Sequence, residues 1–432
     1  MRYPSYPKLR RTDISHIGSI PSHWSLSRIK HIAKLTPKKP KIDRTQTCSF
    51  IPMEKLKTDS LILNEERIID DVYEGYTYFS DGDILMAKVT PCFENGNIAL
   101  AHGMKNKIGF GSSEIYTIRP SNQIAGRFLF YRLQEDGFIR TATREMTGAG
   151  GLRRVPSHII ENFCFAAPHE PEQTQIANFL DRETAKIDAL IEKQQQLIKL
   201  LEEKRQAVVS HAVTKGLNPN AKMKDSGAEW LGEVPEHWLL LKTKRFFRLV
   251  AEPATKNNDA ELLSIYTEIG VRPRKDLEAK GNKASTTDGY WIVEKGDLIV
   301  NKLLAWMGAT GYSAYDGVTS PAYDILRPTK DVSSKFYHYL FRSKIAQAEF
   351  KRWSRGIMEM RLRLYFDELG RITMPVPPRD EQDKIVARIE EIEQKYDQLE
   401  SKSQSSIELL KERRAALISA AVTGKIDVRN AV

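Results

Sequence analysis

Cysteine is scarce in this chain: three residues in 432, Cys48, Cys92 and Cys164, in no metal-ligand spacing. An odd, scattered set builds no disulfide framework and points to a reducing compartment, the cytoplasm, with each thiol read as a small buried hydrophobe. Long apolar runs are missing as well. Nothing reaches the roughly 18 to 20 residues of a membrane-spanning helix, so no membrane is expected among the partners. The opening residues, with Pro4, Pro7 and scattered charge, lack the apolar segment of a signal peptide. Catalytic signatures are absent too: no glycine-rich phosphate loop ending in Lys-Ser or Lys-Thr, no His-Glu-x-x-His, no Gly-x-Ser-x-Gly. Thr147-Gly148-Ala149-Gly150-Gly151 reads as a flexible loop without counterpart, and Asp81-Gly82-Asp83 as a turn into a strand rather than paired catalytic acids.

Proline and glycine also vanish from two stretches, and there the sequence becomes informative. Between Pro171 and Gly216, apolar residues recur at three- and four-residue steps, which predicts an amphipathic helix from Glu172 to about His211. The same pattern follows Pro377-Pro378 and ends at Gly424. Stripes this narrow need a partner, and each helix offers itself to the other. The expected seam takes Ile187, Leu190, Gln194, Leu197 and Leu201 from the first helix and Tyr396, Leu399, Ser403 and Leu410 from the second. Antiparallel pairing would bring Gln194 and Ser403, near the two midpoints, into one polar layer that fixes register.

The helices belong to a wider duplication. Gly18–Trp24 returns as Gly232–Trp238 and Gly82-Asp83-Ile84-Leu85 as Gly296-Asp297-Leu298-Ile299, each 214 residues later. Arg119-Pro120 returns as Arg327-Pro328 after 208 residues. Glu172-Gln173 and Glu203-Lys204-Arg205 return as Glu381-Gln382 and Glu412-Arg413-Arg414 after 209. The period is far too long for a solenoid, so a whole domain-plus-helix unit is repeated. The recurring His23-Trp24 and His237-Trp238 read as packing elements that anchor each domain. Between landmarks the copies part company, as at Val89–Leu100 and Leu303–Ala314, the pattern of one scaffold carrying two different readers.

Lys and Arg number 66 against 56 Asp and Glu, a formal charge of +10 that favours a polyanionic partner. In the first copy Arg140, Arg144, Arg153 and Arg154 form a basic stretch, with Glu145 its one acid in the sequence. The second copy has Lys351, Arg352, Arg355, Arg361 and Arg363 in the equivalent place, with Trp353 interleaved. Lys88 and Lys302 occupy matched positions just after the Gly-Asp strand. Such residues serve phosphate contact and readout of guanine edges alike, so these are the candidate DNA-binding residues.

The duplicated Gly-x-Ile/Val-Pro-x-His-Trp, Gly-Asp-Ile/Leu and Glu-Gln-x-x-Ile motifs, with Ala-Val-Thr closing both helices (Ala212–Thr214, Ala421–Thr423), run through essentially the whole chain. In this the chain resembles the specificity (S) subunit of type I restriction–modification systems. The resemblance implies an α+β chain: an N-terminal arm over 1–16, target-recognition domains over 17–168 and 217–377, and long helices over 169–216 and 378–432 that pair as an antiparallel coiled coil. It implies that each domain reads one half of a bipartite double-stranded DNA site. It further implies that the helices dock methyltransferase subunits, to which restriction/translocase subunits attach. S-adenosylmethionine, ATP and magnesium would then bind those partners, with no catalytic residue, cofactor or metal on this chain. Two other readings stay open: a coiled-coil adaptor for proteins alone, and a self-contained DNA methyltransferase or nuclease.

Overall fold

The computed structural model describes residues 3–14, 16–267, 269–276, 287–358 and 361–431. It resolves into two compact units, residues 1–194 with 405–432 and residues 195–404. Each unit therefore takes one half of each long helix.

The core of the first unit is laid on a four-stranded antiparallel sheet in the order Ile98–Leu100, Ile84–Ala87, Ile115–Pro120, Ala33–Leu35. All four residues of Ile84–Ala87 are buried, as expected of a central strand covered on both faces. A second four-stranded sheet (Glu66–Ile68, Thr47–Ile51, Ile108–Gly111, Thr77–Ser80) mixes parallel and antiparallel pairing. From the strand Thr77–Ser80 the chain reverses at Asp81-Gly82 to enter the next. Ser25–Arg28 pairs with Cys164–Ala167, closing the domain just before the helix starts.

The second unit repeats the first sheet strand for strand: Phe247–Val250, Tyr323–Pro328, Leu298–Asn301, Thr310–Tyr312. Leu239–Lys242 and Thr373–Val376 make the matching closing pair. Each unit also carries a helical stretch broken in two, Gly126–Arg132 with Asp136–Arg144 and Ser334–Arg342 with Lys344–Trp353. The breaks fall at capping residues. Glu135 accepts the Gly137 and Phe138 amides at 3.1 Å, and Ser343 accepts that of Ala346 at 3.4 Å.

The long helices run Glu170–Lys215 and Arg379–Val422. In the first unit Ile176, Phe179 and Leu180 share a buried cluster with Ile418, Ala421 and Val422, while further along Asp188 accepts Arg414 Nε at 3.0 Å. In the second unit Ala212 and Val213 share a cluster with Ile385, Val386 and Ile389, and Arg205 donates to Asp397 at 2.9 Å and Glu393 at 3.2 Å. Within each unit the two helix segments therefore run antiparallel. Arg205–Asp397 and Arg414–Asp188 are the same pair once per copy, both partners 209 residues apart in sequence.

The seam differs from expectation at three positions. Leu190, Leu197 and Leu399 are 47%, 43% and 47% exposed, and their neighbours Ile191, Ile198 and Glu400 are turned further in. Steps of three and four both fit an apolar stripe, and a one-residue choice turns a side chain by about 100°. Ile187 and Ser403 are buried, and Gln194, Leu201, Tyr396 and Leu410 are half-buried. The cysteines are free: Cys48 is buried, its thiol pushed up to about 11 chiefly by that burial, whereas Cys92 and Cys164 are only half-buried, against expectation.

His338, on the first half of the broken helix in the second unit, accepts the Tyr312 amide at 3.3 Å through Nδ1. Burial foremost, then Arg342, Lys335 and Arg272, lowers its pKa to about 3. Below about pH 6.5 the unfolded ring takes up a proton that the folded ring refuses, so stability falls with pH by up to about 1.4 kcal/mol per unit. Urea unfolding of the chain and of His338→Gln between pH 4 and 6 should give slopes differing by about one proton. Parallel slopes would show that the ring titrates normally.

Candidate nucleic-acid interface

The sequence landmarks turn out to be partners of one another. Glu172, at the start of the first long helix, accepts His23 Nε2 at 2.7 Å and Trp24 Nε1 at 3.0 Å. Glu381 does the same for His237 at 2.7 Å and Trp238 at 3.1 Å. The neighbouring glutamines bind the domain backbone: Gln173 accepts the Ala125 amide and Gln382 that of Ser333, both at 2.8 Å. Each helix is thereby held at a fixed rotation against its own domain. The Gly-Asp and Arg-Pro motifs are likewise two sides of one ion pair. Arg119 donates to Asp83 at 2.7 and 2.6 Å, and Arg327 to Asp297 through two bonds of 2.8 Å. Asp81-Gly82-Asp83 is the expected turn into a strand, and its Asp83 also forms a fork-on-fork lock between adjacent strands.

Upon this scaffold each copy carries an arm. In the first, Thr147–Ala149 pairs with Leu152–Arg154 as a β-hairpin, so the expected flexible loop is ordered. Nor is it unmatched, because Arg355 and Arg363 form the corresponding antiparallel bridge, with both backbone bonds at 2.9 Å. Gly148 and Gly356 stand at equivalent positions, with φ of 140° and 147°. A Cβ there would lie 2.3 Å from the Leu152 carbonyl oxygen in one arm and 2.6 Å from that of Arg361 in the other. Only glycine allows so close a crossing. The arms hang from the matched lysines. Val155 donates its amide to the Lys88 carbonyl at 2.8 Å, and Leu364 to that of Lys302 at 2.9 Å.

The structure thus gathers Lys88 with Arg153 and Arg154, and Lys302 with Arg355 and Arg363. Their side chains differ in state. Lys88 lies 5.1 Å over the Tyr116 ring, whereas Lys302 is bound inward, to the Pro321 carbonyl at 2.9 Å and Asp324 at 3.3 Å. Tyr116 and Asp324 are the same strand position in the two copies. Burial raises the Asp324 pKa, and Lys302 pulls it back. Lys302 is therefore held inward by its own domain, where Lys88 is not. Arg355 pairs with Glu368, and Lys351 sits 5.2 Å over the Trp306 ring. Arg361 is exposed and Arg363 half-buried.

Arg140 and Arg144 lie on the helix that precedes the first arm; Arg140 bonds Asp136 at 2.9 Å and Arg144 is exposed. Arg352 and Trp353 are both tied to Glu349, at 2.7 Å each, so the indole is committed to its own helix rather than offered to a base. Sequence distance concealed the acids that matter. Glu94 meets Arg153 at 3.0 Å and Glu114 meets Arg154 at 2.8 Å, so Glu145 is not the only acid nearby. Only pairing between strands far apart in the chain brings them there. Among the described residues no group of three or more His, Cys, Asp or Glu is placed to hold a metal ion, and no helix is long and apolar enough to cross a membrane.

Comparison with known proteins fits this duplicated scaffold. The family model of the type I restriction modification DNA specificity domain matches residues 21–200. The EcoAI type I restriction enzyme specificity subunit of Escherichia coli is 34% identical over 192 residues, covering 42% of this chain. The chain spans only about a third, 33%, of that relative's length. The HsdS subunit crystal structure from Thermoanaerobacter tengcongensis superposes with a TM-score of 0.55 at 16% identity, over 94% of this chain and 98% of that one. A chain from a structural study of complex assembly and conformational transition in a type I R-M system gives 0.65 at 17% identity, over 93% and 98%. Residues 21–200 thus match the type I restriction modification DNA specificity domain, and the chain as a whole shares the fold of these two solved structures.

Proposed function

We propose that this chain is the sequence-specific, double-stranded DNA-binding specificity subunit of a type I restriction–modification complex. The observation that carries the reading is the pair of arginine-bearing arms, hung from matched strand ends on one duplicated scaffold. Residues 17–168 and 217–377 act as the two target-recognition domains, each reading one half of a bipartite, asymmetric site. Arg140, Arg144, Arg153 and Arg154 serve the first half-site, and Lys351, Arg355, Arg361 and Arg363 the second. The long helices set the spacer, with Gln194 and Ser403 as a register device, and dock the methyltransferase subunits that in turn hold the restriction/translocase subunits. The chain is not an enzyme by itself. S-adenosylmethionine, ATP and magnesium belong to the partner subunits.

A protein-only adaptor would not need cations arranged in duplicate around two unlike loops. The test combines the chain with its methyltransferase subunit. Gel shifts should show a preference for one bipartite duplex of at least about a thousandfold over unrelated DNA. Methylation profiling of a host with and without the chain identifies that sequence. The purified chain alone should neither methylate DNA, cleave it nor hydrolyse ATP; robust turnover by it would overturn the reading.

A further inference from the structure

Arg154 gives two hydrogen bonds to a single carboxylate, Nε to Oε2 of Glu114 at 3.0 Å and Nη2 to Oε1 at 2.8 Å. Beside it, Arg153 Nη2 donates to Glu94 Oε1 at 3.0 Å. The backbone beneath is fixed from both directions. The Thr90 hydroxyl donates to the Gly151 carbonyl at 2.8 Å and accepts the Arg153 amide at 2.9 Å, and the Thr90 amide donates to the Arg153 carbonyl at 3.0 Å. Both guanidinium groups nonetheless stay open to solvent, with side chains 46% and 47% exposed.

A carboxylate seated on one edge of a guanidinium does two things. It fixes the plane of the group, so that Nη1 and the second hydrogen of Nη2 form a free two-donor edge of the kind that matches guanine O6 and N7. It also offsets the charge that a phosphate would seek, so that a phosphate approaching the free edge meets a neutralised pair rather than a lone cation. An arginine held in this way is well suited to reading a base and poorly suited to gripping the backbone.

We propose that Arg154 reads a base edge in the half-site of the first domain, and that Glu114 is its positioning residue, aiming the guanidinium and excluding phosphate from it. Arg153 with Glu94 forms a looser, singly bonded version alongside. The inference rests on the DNA-specificity reading above. The two domains differ at this point in sequence: Arg363 stands at the position of Arg154, but Ala322 stands at that of Glu114.

The test uses the full chain assembled with its methyltransferase subunit, in native form and as Arg154→Ala and Glu114→Gln. Binding to the native target, to single-base variants and to unrelated duplex is measured across a salt series, together with methylation profiles. Arg154→Ala should relax one base position of one half-site and weaken target binding about tenfold or more, leaving the salt slope unchanged. Glu114→Gln should relax the same position while strengthening binding to unrelated DNA. It should also steepen the salt slope by about one unit, because the freed arginine can reach a phosphate. Arg154 is exposed and Glu114 half-buried, so the melting temperature should change little, and measuring it separates these effects from misfolding.

If Arg154→Ala weakens all sequences equally and lowers the slope by about one unit, Arg154 is a phosphate contact and the proposal falls. It falls too if that variant keeps both motif and slope. A native assembly with no sequence preference would instead overturn the DNA-specificity reading itself.

Discussion

Replacing residues 17–167 with the same segment of a relative should change one half of the methylated sequence completely and leave the other half as it was. Base contacts are local: a side chain reads only the edge within its own reach of a few ångströms. The first arm is bonded to Lys88, Thr90 and Glu114, all inside the exchanged segment, and the second to Lys302 and Glu368, all outside it. The segment also brings its own lock, Asp83 with Arg119, so the incoming domain keeps its strand register whatever its loops contain. What it must match in the host chain lies on the two helix segments: Glu172 for the His-Trp motif, Gln173 for the Ala125 amide, Asp181 for Arg127 and Tyr131, Arg414 for Asp59, and the buried face of Ile176, Leu180, Ile418 and Val422. Genome-wide methylation profiles of hosts carrying native and exchanged chains, with the same methyltransferase subunit, measure the outcome directly. A change in both halves would mean that the domains do not read independently.

Arg327→Ala should destabilise the second unit by about 3 to 5 kcal/mol, and Arg119→Ala the first by a similar amount. The Asp297 side chain is 2% exposed and its partner 17%. Its carboxylate accepts the Glu294 amide at 2.9 Å besides the two bonds from Arg327. Deleting the arginine strands a buried negative charge between two strands, and that stranded charge rather than the lost attraction sets the size of the effect. At roughly 2 to 4 °C per kcal/mol for domains of this size, melting should fall by about 10 °C. Arg379→Ala is the control. It removes exposed pairs with Asp331 at 2.8 Å and Asp383 at 2.9 Å, and should cost less than about 1 kcal/mol. Equal losses from Arg327→Ala and Arg379→Ala, followed by calorimetry or urea unfolding, would refute the assignment.

Reading along the sequence reached the long helices and the duplication because both are written in local or strictly repeated signals. Pro171 and Gly216 bracket one helix, and equal offsets tie His23-Trp24 to His237-Trp238. It did not reach the bonds that join those landmarks. That Trp24 meets Glu172, or Asp83 meets Arg119, follows from pairings 148 and 36 residues apart. Yet one clue lay in plain view: residues that recur as a set across two diverged copies are good candidates to touch one another. The seam failed by single steps at Leu190, Leu197 and Leu399, where a leucine on the solvent side of a helix looks no different in sequence from one facing in. The glycines of the first arm suggest flexibility in the sequence, whereas Gly148 is needed for a fixed crossing of two strands. Lys302 looked like Lys88 until the strand opposite supplied Asp324 where the other copy has Tyr116.

The way the arms are attached makes them detachable in an engineering sense. Each shares with the scaffold one hydrogen bond of the same kind, Val155 to Lys88 and Leu364 to Lys302, and each crosses itself at one glycine. A segment with matched ends and a self-contained crossing is a cassette, and the molecule holds two sockets of one pattern. Novelty in what is read can therefore arise by moving a short piece between sockets, within one gene or between relatives, without redesigning any core.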